Sequence, residues 1–411
     1  MKASAIINAV EGVTQKWTKQ RKREERERSA RRNRANVMIR RRTVTVRDAA
    51  WQIMREAYLK ASANGTLPAH ARQIMYAARP HIQATSDRDL GARFDQYFTQ
   101  QLLPEYIEEM RVAWNVVYDA RGHFQEPHTR REVPLGTLAV RDYLRDVSLY
   151  MRPALQFKLS DEYFPTFGPG HRYGAVLFVE KEGFMPLFRA VKLAERYDLA
   201  IMSTKGMSVT ASRQLVEELC ARQDIPLLLL HDFDKSGFSI AGTLKRDTRR
   251  YSFQRNFKVH DLGLRLEDID GLETEEVTHT GSDDAVADNL RKNGATAEEI
   301  DFLLSERVEL NAFASDELVE FIERKLDGLN IRKVVPDEET LREACQRARA
   351  IRLVNDQLKA IIDKATEDAK TMTMGSDLAE QVLLILDEDP SISWDAAVAR
   401  IVEAPGGAIS K

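Results

Sequence analysis

Cysteine is almost missing from this 411-residue chain: it holds two, Cys220 and Cys345, far apart and with no CxxC partner. That excludes a disulfide framework and leaves no thiolate pair for a zinc site, so both are expected to be reduced core thiols in a cytoplasmic protein. Long apolar runs are also missing. No stretch approaches the roughly 20 residues that a membrane-spanning helix needs. The first residues lack the charged-then-apolar order of a secretory leader, so no membrane partner is expected. There is no internal repeat, and no low-complexity tract outside the first 45 residues. What is present, 43% hydrophobic and 30% charged residues, fits a soluble globular protein with room for two or three cores.

The net charge of -3 conceals an asymmetry. Residues 1–45 carry fourteen Lys/Arg and four Glu, a net +10, which leaves -13 on the remainder. The run KQRKREERERSARRNR supports two readings. One is a solvated helix laced by Glu–Arg pairs one turn apart. The other is a basic arm that neutralises DNA phosphates or docks on an acidic partner.

Four segments follow from composition and periodicity: the basic arm (1–45), helices followed by a β-hairpin (46–150), alternating strands and helices (151–310), and a helical region (311–411). In the second, VRDAAWQIMREAYLKAS has helical spacing and is stopped by Gly65 and Pro68, and HARQIMYAARPHI and RFDQYFTQQLLPEYIEEMR read as two further helices. Val112, Trp114, Val116 and Tyr118 alternate as in a strand, Asp119 to Gly122 supplies turn chemistry, and His123 to Glu126 is the returning partner. Helices followed by a two-stranded wing predict a winged-helix (CAP-like) DNA-binding domain. Arg121, Arg130 and Arg131 flank that wing as candidates to grip the DNA backbone. In the third segment, AVLFVE (175–180), LAIM (199–202), PLLLLH (226–231) and FKVHDL (257–262) are strands separated by helices over 184–197, 210–222 and 236–251. That alternation predicts an α/β domain with a parallel, Rossmann-like sheet. The acidic stretch from Glu267 to Asp301 reads as solvated surface. The C-terminal helices read either as packed back on this domain or as a partner surface.

In open α/β sheets ligands collect at the carboxyl ends of the strands. Glu180 closes the first strand, and Asp232 and Asp234 close the third, so three acids converge at one edge. Gly237 then permits the tight turn into the next helix. Crowded carboxylates repel unless a cation sits among them, and hard oxygen ligands favour Mg²⁺ or Mn²⁺. Such an ion polarises a phosphate and stabilises the leaving oxygen of a strand break. Taken singly, a strand-end acid is as well explained as a helix cap or a surface residue; the combination is the signal. Glu182 is the alternative to Glu180, which is favoured because it ends the apolar run directly. His231 reads as a core or supporting histidine.

The stretches FVEKEG (178–183), STKGMSVTASRQLV (203–216) and LLLLHDFDKSGFSI (227–240) resemble the Toprim domain of topoisomerase VI A subunits, relatives of the meiotic double-strand-break transesterase. Over residues 50–310 the chain is most similar to the short stand-alone members of that family. The resemblance extends to HARQIMYAAR, which matches the family's nucleophile helix with Arg72 on its arginine and Tyr76 on its tyrosine. It implies Mg²⁺ held by Glu180, Asp232 and Asp234, attack by Tyr76 on a phosphate gripped by Arg72, and a 5′-phosphotyrosyl double-strand break. It further implies double-stranded DNA as substrate, a homodimer, a nucleoid-associated location, and for strand passage a separate GHKL-type ATPase. Lys205 and Arg213 are candidate DNA contacts, with a plain surface cation as the alternative. The chain departs from the family pattern in three ways. Gln73 and Met75 replace an Asp and the first Tyr, and Lys235-Ser236 follows Asp234 where the family has Pro-Tyr. A hydrolytic nuclease with Tyr76 as bystander, and a non-catalytic DNA-binding subunit, are the competing functions.

On its own chemistry Tyr76 needs help, since a phenol with a pKa near ~10 is a poor nucleophile unless a base, metal or cation assists. Arg72, one helical turn earlier, lies on the same face as Tyr76 and is placed to hold a phosphate there. The alternative is a ring packed in a helical core.

Overall fold

The computed structural model describes residues 21–22, 24–29, 44–91, 93–118, 122–129, 131–148, 159, 172–203, 210–221, 224–247, 252–279, 281–371 and 377–403. Most of the basic arm, Lys205, and both Arg121 and Arg130 lie outside them. The described residues form two compact units. One comprises residues up to Thr66 with Ala71–Trp114; the other comprises Leu67–His70 with the residues from Asn115 onward.

The first unit is helical. Helix Val46–Ala61 starts at Thr45, whose hydroxyl accepts the Asp48 N–H at 3.2 Å while the Asp48 carboxylate accepts the Thr45 N–H at 3.1 Å. Its buried stripe of Ala49, Ala50, Met54, Ala57, Tyr58 and Ala61 packs on helix Ala71–Thr85. Ala63, Asn64 and Gly65 turn left-handed and end the first helix where the sequence predicts. The third predicted helix is Phe94–Tyr97 continued by Phe98–Leu102 and Leu103–Met110. Trp114 stacks on Tyr58, with ring centres 4.2 Å apart, rather than extending a strand.

The predicted hairpin is shifted. Only Val116–Val117 (β2) is extended in 112–118, and it pairs in parallel with Ala69–His70 (β1). His123–Gln125 (β3) instead pairs antiparallel with Glu132–Pro134 (β4). The turn chemistry of Asp119–Gly122 predicts a hairpin loop there, whereas the loop falls between Glu126 and Arg131. The helices and hairpin expected to make one winged-helix domain therefore fall in different compact units.

The second unit is built on four parallel strands, Ala175–Val179 (β5), Leu199–Ser203 (β6), Leu227–Leu230 (β7) and Val259–Gly263 (β8), in the order β6-β5-β7-β8. Alternate residues of the two central strands feed opposite cores. Leu177, Val179, Leu228 and Leu230 face a cluster with Phe184, Phe188, Leu318 and Phe321. Val176, Phe178, Leu227 and Leu229 face Val216, Cys220, Ile240 and Leu244. Both faces are covered, which is why these strands read as unbroken apolar runs.

Three details differ from expectation. The helix expected over 184–197 is two short helices, Met185–Ala190 and Leu193–Tyr197, broken where Lys192 adopts a φ of 53°. The helix after β7 ends at Lys245. The acidic stretch is not all solvated: Glu299 is buried and takes two guanidinium hydrogen bonds from Arg265, both 2.7 Å. Two short strands, Glu275–Glu276 (β9) and Glu306–Arg307 (β10), pair antiparallel. Helix Ser315–Gly328 places Leu318, Phe321, Ile322 and Leu326 in the sheet's core. Beyond it lie helices Glu338–Lys370, Leu378–Glu388 and Trp394–Glu403. Cys220 is buried as expected, but Cys345 is exposed on the long helix. Among the described residues no helix is long and apolar enough to cross a membrane.

Candidate functional site

The three predicted acids come together at the carboxyl edge of the sheet. Glu180 directly follows β5, and its Oε2 accepts the backbone N–H of Asp232 at 3.2 Å. The backbone N–H of Glu180 bonds to the Leu230 carbonyl at 3.1 Å, which fixes the two strand ends side by side. Asp232 is 2% exposed. Its Oδ1 accepts the Leu310 N–H at 2.8 Å. Asp234 caps helix Lys235–Lys245, accepting the Gly237 N–H at 2.7 Å, and thereby holds the first turn of that helix beside the rim. Glu182, the alternative to Glu180, lies in the short turn Glu182–Phe184 instead.

Two further charged residues complete the site, and neither is among those the sequence nominates. The Lys181 ammonium lies 2.6 Å from Asp232 Oδ2 and 2.9 Å from Glu309 Oε2. Glu309 arrives because Phe233 and Val308 exchange backbone hydrogen bonds of 2.8 and 3.1 Å, an antiparallel bridge that lays residues 308–310 against 232–234. Its Oε1 also lies 3.6 Å from the Arg307 guanidinium. Lys181 stands inside the FVEKEG stretch, and Glu309 inside RVELNAFASDELVEFIERKL. Nothing local marks Glu309 as a rim residue; only the tertiary bridge does.

The electrostatics are those of crowded acids. Burial, then the charges of Asp232 and Asp234, push the Glu180 carboxyl up to about 7, against the opposing pull of Lys181. Asp232 is also raised, by burial first, although Lys181 counteracts it. Beneath the rim, His231 is buried, with Nε2 3.0 Å from Asp261 Oδ1 and Nδ1 2.8 Å from the Asp232 carbonyl. Burial alone would lower the imidazole, but the bond to Asp261 raises it above its ordinary value. Burial works against Asp261 too, yet His231, Lys245 and Arg265 hold it well below the usual carboxylate range. His231 is thus a buried supporting residue that props the backbone of Asp232.

The donor set is all carboxylate oxygen, which fits a hard divalent cation in chemistry. Among the described residues, however, no three Asp, Glu, His or Cys side chains are gathered tightly enough to hold an ion. Both oxygens of Asp232 are engaged within the protein, one by a backbone N–H and the other by the Lys181 ammonium. A cavity of about 430 Å³ opens beside Asp234, lined also by Lys235, Ser236, Ser239, His279 and Arg307.

The remaining candidates are placed as follows. Tyr76 and Arg72 belong to the helical unit, on helix Ala71–Thr85. Tyr76 is 2% exposed, so its ring is buried, and Arg72 Nη2 is 3.0 Å from Asp95 Oδ2. Arg213 sits on helix Thr210–Val216 and is buried. Lys205 lies outside the described residues.

A parallel sheet with Glu and a DxD pair at its carboxyl rim is the architecture of a Toprim domain. Residues 175–326 match the family model for the Toprim domain shared by Spo11 and the A subunits of topoisomerase 6. The match begins at the first residue of β5 and ends inside the helix that closes the core, so it covers Glu180, Asp232, Asp234 and Glu309 alike. The family is one of DNA-cleaving proteins, and Toprim domains generally bind divalent metals such as Mg²⁺. No curated protein matches the chain.

Proposed function

We propose that this protein cleaves double-stranded DNA by a Mg²⁺-assisted transesterification of the topoisomerase VI A type. The observation that carries this reading is the convergence of Glu180, Asp232 and Asp234 at one sheet edge, within the segment that matches the family. Mg²⁺ or Mn²⁺ bound at those acids supplies stabilisation of the charge on the leaving 3′ oxygen. Glu180 and Asp234 flank Asp232, and Glu309 adds a fourth carboxylate. In this reading Tyr76 is the nucleophile that becomes joined to the DNA 5′ end, and Arg72 steadies the attacked phosphate. The ring must be uncovered and Arg72 released from Asp95 before either acts. Lys205 and Arg213 are assigned to the DNA backbone, with Arg213 needing the same exposure. A symmetric dimer would nick each strand once, and a separate GHKL-type ATPase would be required for strand passage.

The burial of Tyr76 favours a second reading, in which the same acids serve a hydrolytic nuclease and Tyr76 is a core residue. One experiment decides. Supercoiled plasmid is incubated with the protein and Mg²⁺ or Mn²⁺, then denatured with detergent, with and without protease. Transesterification gives protein-linked 5′ ends that fall to background in Tyr76→Phe. Hydrolysis gives free ends that the substitution leaves unchanged. Absence of cleavage with every divalent ion, alongside salt-sensitive DNA binding, overturns both.

A further inference from the structure

The rim holds four carboxylates, from Glu180, Asp232, Asp234 and Glu309, two of which contact the Lys181 ammonium. Lys181 immediately follows a predicted metal ligand in sequence. Its stem leaves the strand end beside Glu180, and its head reaches Asp232 Oδ2 at 2.6 Å and Glu309 Oε2 at 2.9 Å. The side chains of both acids are almost wholly buried, at 4% and 5% exposure, while Lys181 keeps 24%. Two buried acids side by side repel each other strongly unless a positive charge lies between them. The ammonium is therefore a constituent of this site. It sits on the carboxylate oxygen that a divalent ion at Asp232 needs.

We propose that Lys181 is a resident counter-cation of the rim, which competes with the divalent ion for Asp232, and that Glu309 is the alternative seat to which its ammonium retires when the ion binds. This rests on the metal-binding reading of the rim given above and deepens it. Three features of the geometry support the exchange. Lys181 contacts two acids at once, so releasing Asp232 leaves it with a charged partner. Glu309 comes from a different segment, fixed by the Phe233–Val308 bridge, so the seat stays in place when Asp232 turns to an ion. A lysine stem is flexible and its head is a point charge, so a shift of an ångström or two needs no backbone change. The consequence is a rim kept folded and partly neutralised without metal, with affinity for the ion traded away in return.

The test is a Mn²⁺ titration of the full chain by calorimetry or electron paramagnetic resonance, with thermal unfolding recorded without metal. In Lys181→Met, and in Lys181→Gln, which keeps a hydrogen-bonding head without the charge, the Mn²⁺ dissociation constant is expected to fall by about tenfold or more. The metal-free melting temperature is expected to fall, and saturating Mn²⁺ to restore it. Binding in wild type with unchanged or weaker binding in a folded Lys181 variant overturns the proposal and leaves the metal reading standing. A silent wild type with a variant that binds supports it, since the ammonium then wins outright. Silence in wild type and in both variants overturns the proposal together with the metal reading. If the methionine variant does not fold, the glutamine variant decides between these outcomes.

Discussion

Gly237 lies so close to Asp232 that a methyl group at its α-carbon would overlap the Asp232 carbonyl oxygen and the His231 Nδ1. Neither neighbour is a flexible side-chain end, because the carbonyl belongs to the rim loop and the imidazole is pinned by Asp261. Gly237→Ala must therefore push the first turn of helix Lys235–Lys245 away from the rim. A loss of about 2–3 kcal/mol is expected in urea unfolding, with weaker Mn²⁺ binding because Asp234 moves with the helix. Unchanged stability would show that the turn yields without cost.

Glu180 gives a prediction with a definite sign. Its folded-state carboxyl titrates at about 7, above the ordinary 4.5. A group raised in this way contributes stability that is fully present below its unfolded value and is lost as pH rises through the folded one. Metal-free wild type should accordingly lose on the order of 2–3 kcal/mol between about pH 4.5 and pH 7 from this group. Glu180→Gln has no such ionisation, so it should be more stable than wild type at pH 8 without metal and should bind Mn²⁺ less tightly. Denaturation curves across pH 4–8 check this, and a variant that is less stable at pH 8 overturns it.

Arg265 and Glu299 form a two-point ion pair within the same unit, with Glu299 almost fully buried and also accepting the Thr296 N–H at 2.8 Å. Glu299→Ala takes the two-point partner from the guanidinium, leaving it the longer contact to Asp261 at 3.4 Å, and removes that helix cap. The expected cost is about 3–5 kcal/mol in chemical unfolding.

The strand ends were legible because fully buried parallel strands announce themselves as apolar runs, and a run that stops at an acid fixes where the acid sits. AVLFVE and PLLLLH place Glu180 and Asp232 correctly for that reason. Lys181 and Glu309 are not legible in role. Lys181 sits beside a stronger signal, and Glu309 depends on an antiparallel bridge between residues far apart in sequence. The hairpin is displaced because alternation at Val112, Trp114, Val116 and Tyr118 also describes a segment in which Trp114 stacks on a helix. Glu299 reads as solvated because an acidic stretch hides the one carboxylate that meets a buried arginine. Tyr76 marks the widest gap: its neighbours fit a nucleophile helix, while a ring packed in a core has the same local sequence.

The short parallel pair of Ala69–His70 with Val116–Val117 means that the chain visits the sheet-bearing unit for four residues, returns to the helical one, and only then crosses for good. The two halves are stitched rather than strung. A protein engineer who begins a fragment at Asn115 removes the partner of Val116–Val117, and a nick after Trp114 severs the chain into two pieces, with 67–70 then held to the larger one by non-covalent contacts alone. Dissecting this molecule into working parts calls for grafting the 67–70 segment onto the larger piece.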